Sequence, residues 1–167
     1  FPAQIRPDKP AMTTGEADFE TVDSREAEAI SVLARDIWQR HYWPGILTRN
    51  ELDYFWQRSY TPSRLREDMR NGARYEWIKT AGQRVGFLAY RMETGEGRLH
   101  LSKLYLDPDF HGLGLGAKAL SRVQHLATAE GIREIYLYVF RNNAKAVRAY
   151  QRAGFVIERT EMTECGV

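Results

Sequence analysis

The chain has almost no cysteine: Cys165, near the C-terminus, is the single one among 167 residues. One thiol closes no internal disulfide and builds no cysteine-rich metal site. It suits a reducing, cytoplasmic setting, and a tail is a poor place to hold a nucleophile rigidly. Long apolar runs are also missing, since no stretch reaches the roughly 18 residues of a membrane span. Charge of one sign is missing too. The 24 basic and 22 acidic residues leave a net +2, too balanced for a nucleic-acid surface. No metal, membrane or nucleic-acid partner is therefore expected. The first 17 residues hold Pro2, Pro7 and Pro10 and few apolar side chains, without the apolar core of a signal peptide. Residues 1–17 are read as an extended or disordered segment ahead of one domain over 18–167, and Phe1 as a processed or trimmed start.

What is present suits a globular domain. Hydrophobic residues make up 43% and aromatics 12%, and a domain of this size buries about 70% of its unfolded surface. Phe19 to Val22 is a short strand candidate. Ser24 can cap a helix carrying Ile30, Leu33, Ala34, Ile37 and Trp38 at helical spacing. Thr48-Arg49-Asn50-Glu51 is a capping box for a second helix, and a third, short one ends at Gly72. The pattern then changes to period two: Tyr75–Lys79, Val85–Met92 and Arg98–Leu106 read as an antiparallel meander. A helix over Gly114–Glu130, a strand over Ile132–Phe140, a helix over Asn143–Ala153 and a strand over Phe155–Met162 complete the order. A strand–helix–strand passage implies one parallel pair in a mainly antiparallel sheet, hence an α+β layered domain.

Between the third meander strand and the next helix lies His111-Gly112-Leu113-Gly114-Leu115-Gly116. Three glycines let backbone approach a ligand, and loop N–H groups with a helix N-terminus make a site for phosphate oxygens. A tight strand-to-helix turn is the plainer reading. The loop lacks the Gly-Lys-Ser/Thr ending of a P-loop and misses the spacing of the dinucleotide fingerprint.

Three segments resemble the GNAT superfamily of N-acetyltransferases. They are Leu104-Tyr105-Leu106-Asp107-Pro108-Asp109-Phe110, the glycine loop, and Asn143-Ala144-Lys145-Ala146-Val147-Arg148-Ala149-Tyr150-Gln151-Arg152-Ala153-Gly154-Phe155. The last matches Asn-x-x-Ala-x-x-x-Tyr-x-x-x-Gly-Phe at every named position. The resemblance implies a twisted, mainly antiparallel mixed sheet with helices on both faces and a bulged, splayed central strand pair. It implies acetyl-CoA as cosubstrate, its pantetheine arm along Leu104, Tyr105 and Leu106. The pyrophosphate would sit at His111, Gly112, Leu113, Gly114, Leu115 and Gly116, and Asn143 and Ala146 would meet the arm. Tyr150 would face the sulfur, although it also reads as a core aromatic. His111 stands where the family more often has Arg or Gln. Members often end on one more strand, for which the sequence leaves no room before Val167; either that strand lies in residues not shown, or a neighbouring subunit in a homodimer covers the edge.

The same resemblance sets the chemistry. An alkyl amine arrives protonated, with a pKa near 10.4, so a group must take its proton. Many members place a carboxylate on the bulged strand; here Arg98–Leu104 has none, and His100 is the titratable candidate, equally readable as a sheet histidine. Tyr150 could return a proton to the leaving thiolate. Tyr42, Trp43 and Glu51 around the first helix corner, with Tyr138 on the splayed strand, are the acceptor-site candidates, an aromatic wall with a carboxylate that suits a cationic amine. The stretch is similar to bacterial polyamine- and small-amine-acetylating members. A small primary amine such as a polyamine is the expected acceptor; a peptide amine, a non-catalytic CoA-binding module and a domain binding other nucleotides are the alternatives.

Overall fold

The computed structural model describes residues 15–158. Strand β1 (Asp18–Thr21) leads through a helical turn into α1 (Ala27–Ile37). The cap falls one residue before the expected Ser24: Asp23 accepts from Arg25 N, and Glu26 accepts from Asp23 N. Beyond Ile37 the helix continues in a wider turn to Tyr42, which stacks Tyr42 on Trp38 with centroids 4.8 Å apart. Helix α2 (Arg49–Ser59) begins at the expected Thr48–Glu51 box, and α3 (Pro62–Arg70) follows with Pro62 at its first turn, where the missing N–H costs nothing. A box of this kind contributes about 1 kcal/mol.

Strands β2 (Arg74–Thr80), β3 (Gln83–Glu93) and β4 (Arg98–Leu106) form the meander. Helix α4 (Leu115–Ala129), strand β5 (Glu134–Tyr136) and helix α5 (Ala144–Arg152) complete the described chain. The sheet order is β1-β2-β3-β4-β5, antiparallel except for the parallel β4–β5 pair. The expected α+β architecture is the one found.

Helices cover both faces. Tyr75, Trp77, Phe87 and Ala89 pack with Ala27, Ile30 and Ala34 of α1, Leu52 of α2 and Leu65 of α3. On the other face Ile78, Leu88, Leu99 and Leu101 pack with Leu115, Ala119, Leu120 and Val123 of α4. Burial on this scale is the main favourable contribution, at about 25 cal/mol per Å² of apolar surface. No helix among the described residues is long and apolar enough to cross a membrane.

Two sequence expectations change at the C-terminal end. The strand expected over Ile132–Phe140 is reduced to Glu134–Tyr136, because β5 leaves β4 after Tyr136 and loses its ladder. Of the strand expected over Phe155–Met162, residues 155–158 are not in a strand, and the rest lies outside the described residues.

The tightest approach within the sheet lies between β3 and β4. Gly86 pairs with Leu106, and a Cβ on Gly86 would sit 2.3 Å from the Tyr105 carbonyl oxygen and 3.1 Å from Leu106 Cα. Gly86→Ala should therefore destabilise the fold by about 1–3 kcal/mol, the usual cost of overpacking. Urea denaturation measures this as a lower midpoint; an unchanged midpoint would show that the strands do not come so close.

Candidate active site

One extra residue in β4 shapes the site. Ala89 pairs with Lys103 and Tyr90 with Leu101, leaving Ser102 without a partner. Its hydroxyl donates to the Ala89 carbonyl at 3.2 Å. Such a bulge bends a strand and shifts which face its side chains take. Leu99 and Leu101 lie on the α4 face, and after Ser102 so do Leu104 and Leu106. Tyr105 falls on the face of α1–α3, and Lys103 reaches Asp68 of α3 there. The sequence carries a signal of this that periodicity alone did not reveal: the leucines are spaced two, three and two apart.

The bulge also opens an edge. β5 pairs with β4 only over Arg98, Leu99 and His100, while β3 stays paired with β4 to Leu106. Asp107 donates to Val85 O at 2.8 Å, toward β3. By strand alternation the polar groups of Leu106 and Leu104 point the other way, into the gap. There the Leu106 carbonyl meets His111 Nε2 at 3.0 Å.

Lys145 Nζ lies 3.0 Å from His111 Nδ1. An ammonium can only donate, so Nδ1 accepts and Nε2 carries the proton, an assignment from partners. Burial lowers the His111 pKa, which agrees with a neutral ring. Gly112 and Gly114 have φ of +81° and +76°, and no atom lies within 4 Å of a Cβ built on either. Helix α4 starts behind Gly114 with no side-chain cap, so its first N–H groups remain available to an anion. Leu115 is buried in the core, and Leu113 packs against the same cluster. Any ligand here meets the backbone of these two leucines. This turn, continuous with the open β4 edge, fits a phosphate-bearing cofactor with an extended amide arm.

Opposite the open edge stands α5. Asn143 is buried; its Oδ1 caps α5 by accepting from Ala146 N at 3.2 Å, and its Nδ2 donates to Tyr42 Oη at 3.5 Å. Tyr150 is half-buried beside Phe155, with ring centroids 5.9 Å apart. Burial pushes its pKa up to about 12. The Tyr42 and Tyr105 hydroxyls lie close enough to feel it, and both are held well above the usual tyrosine value, mainly by burial. Tyr105 also accepts from Tyr60 Oη at 2.8 Å.

On the α1–α3 side, His100 lies flat on Tyr136 (4.6 Å, 4°), with Tyr138 edge-on at 5.8 Å. Tyr138 is 67% exposed and Trp43 47%. Glu51 serves the helix cap through one oxygen: its Oε2 accepts from Thr48 N at 2.7 Å and from Thr48 Oγ1 at 2.8 Å. The cap that starts α2 has already engaged it. Tyr42 is buried, with its hydroxyl turned to Asn143 rather than to an open wall.

Sequence reasoning did not single out Lys103, Asp68, Arg91 or Arg40. The Lys103 side chain is only 10% exposed and lies 3.5 Å from Asp68. Burial lowers its pKa, and Asp68 opposes the shift. Arg40, at the end of α1, bridges Asp36, Asp107 and Asp109 at 2.5, 3.0 and 3.4 Å, tying α1 to the turn before the glycine loop. These contacts join residues far apart in sequence and leave no local pattern.

Residues 36–155 match the acetyltransferase (GNAT) family. The chain is 40% identical over 81 residues to a spermine/spermidine N(1)-acetyltransferase of Bacillus subtilis, covering 44% of this chain and 53% of that protein. It is 29% identical to a mycothiol acetyltransferase of Brachybacterium faecium, covering 93% of this chain and 45% of that protein. The chain thus spans about half the length of these curated relatives. Among solved structures, a PaiA N-acetyltransferase of Thermoplasma acidophilum in complex with coenzyme A superposes with a TM-score of 0.77 at 21% identity, covering 87% of this chain and 93% of that one. A ribosomal-protein-alanine N-acetyltransferase of Brucella melitensis superposes with a TM-score of 0.61 at 14% identity, over 89% and 98% of the two chains. At such identities the likeness is one of fold.

His100 should titrate below 6.5. Burial dominates, Lys103 and Arg91 push the same way, and Glu93 and Asp68 oppose. The imidazole proton shifts, followed by NMR between pH 4 and 8, test this; a midpoint at or above 6.5 would contradict the burial seen here. The sign for stability follows. The unfolded chain binds this proton at higher pH than the folded one, so His100 weakens the fold as pH falls below about 6.5.

Proposed function

Because the chain belongs to the acetyltransferase (GNAT) family, we propose that it transfers the acetyl group of acetyl-CoA directly to a primary amine of a small molecule. The observation that carries this reading is the open β4 edge leading to the glycine turn, with Tyr150 packed against the same apolar cluster as Leu104 and Leu106.

Acetyl-CoA supplies the acetyl group as a thioester. The N–H groups from Gly112 to Gly116 hold its pyrophosphate, and the Leu104 and Leu106 backbone pairs with its extended arm as an added strand would. Asn143 and Ala146 border that arm. The Leu104 N–H is placed to stabilise charge on the acetyl oxygen. His100, neutral near pH 7 because it is partly buried, takes the proton that an alkyl ammonium must lose before it attacks. Tyr150 keeps its proton at neutral pH because its pKa stands at about 12; it gives that proton to the sulfur as the C–S bond breaks and regains one from the nitrogen of the tetrahedral adduct. Both reactants are held in line, with no covalent enzyme intermediate.

The spermine/spermidine N(1)-acetyltransferase relative suggests a polyamine as acceptor. Trp43 and Tyr138, both exposed aromatics, offer faces to a cation. The single cysteine suits work in a reducing cytoplasm. A homodimer would cover the outer edge of β5.

An acetylation assay over polyamines, other small amines and short peptides, read by free-thiol release, tests the reading. Turnover of small amines above peptides supports it; binding of acetyl-CoA with no turnover of any amine would leave a CoA-binding module instead. Tyr150→Phe should lower kcat by about 10²-fold, the low end of proton-transfer contributions, while the Kd for acetyl-CoA stays within about threefold. Equal kcat in both proteins refutes the acid role.

A further inference from the structure

We propose that the acceptor amine also bears an anionic group, a carboxylate or a phosphate, received by a donor-rich cleft between α2, α3 and β4. The inference rests on the acetyl-transfer reading and parts from the polyamines.

The cleft has a volume of about 240 Å³ and is lined by Arg58, Arg64, Glu67, Asp68 and Lys103 among others. Lys103 stands between the bulged Ser102 and Leu104 of β4 and reaches Asp68 of α3. Its charges do not balance. Arg64 is paired with Glu67 at 2.9 Å. Asp68 then faces two cations and a hydroxyl: Arg91 at 2.9 Å, Tyr75 Oη at 2.6 Å, and Lys103 at 3.5 Å. Its two close contacts belong to Arg91 and Tyr75, which leaves the Lys103 ammonium with a long contact to its counterion. The faces of Tyr60 and Tyr75, 5.4 and 5.6 Å from Nζ, supply the remaining attraction.

A further donor lines the cleft. Arg58 donates to the Tyr54 hydroxyl at 2.9 Å and forms no ion pair among the described residues. Arg91 and Lys103 thus share one carboxylate, and Arg58 has none among the described residues. An oxyanion in the cleft would meet the Lys103 ammonium and the Arg58 guanidinium and balance their charge. Asp53 is the opposing group. It lines a wider hollow of about 480 Å³ with Tyr54, Gln57, Arg58 and Arg64.

The experiment compares four primary amines of matched length: one ending in a carboxylate, one in a phosphate, one in a methyl group, and spermidine. The anionic amines should show a kcat/KM at least about tenfold above the methyl-ended one, and the larger gain of the two names the anion. Arg58 is exposed, so Arg58→Gln will fold. It should raise KM for the anionic amine about tenfold, with kcat held within about twofold, and bring the ratio between the amines toward one. Lys103→Met should abolish the preference more completely. Spermidine or the methyl-ended amine matching the anionic ones overturns this inference alone, as does an unchanged ratio in Arg58→Gln. No acetylation of any amine overturns the transfer reading and this inference with it.

Discussion

A strand with one residue too many is the constraint on which the rest of this molecule depends. Because Ser102 has no partner on β3, the side chains of β4 change faces midway. Leu104 and Leu106 continue the core begun by Leu99 and Leu101, while Lys103 and Tyr105 are delivered to the opposite layer. The bend also parts β4 from β5 after His100. An ordinary strand here would close the sheet and fill the gap with a ladder of hydrogen bonds. The bulge instead leaves a row of backbone donors and acceptors facing a space.

Around that gap each layer contributes one kind of chemistry. The α4 side provides backbone N–H groups without side-chain competition, because Gly112 and Gly114 take left-handed conformations that favour glycine. The α5 side provides hydroxyl and amide groups through Tyr150 and Asn143, held by burial and by the Tyr42 contact. The α1–α3 side provides the charges and aromatic rings. Arg40 fastens this layer to the turn ahead of the glycine loop, so the two halves of the site share one framework.

The sequence made the outline legible because the informative patterns are local. Period-two leucines, the Thr48–Glu51 cap, the glycines of 112–116 and the Asn143-to-Phe155 segment each act within a few residues. Two kinds of feature escaped. Boundaries set by tertiary divergence were misjudged, as where β5 stops at Tyr136 instead of running to Phe140. Pairings across the fold, such as Lys103 with Asp68 or Tyr60 with Tyr105, have no footprint in spacing. Glu51 shows a third case. Its residue type suits both a helix cap and a cation site, and only the bonds to Thr48 show that the cap takes its Oε2.

The two bonds of His111 have a consequence beyond holding the loop. With one nitrogen given to the Leu106 carbonyl and the other to Lys145, the ring is a neutral strut. The attraction that the turn exerts on an anion therefore comes largely from peptide groups and a helix end, neither of which gains or loses a proton near neutrality. As long as that ring stays neutral, which burial favours, such a grip keeps its strength as pH changes. Proton concentration can then govern the reacting groups while leaving the anchoring of the ligand unaltered.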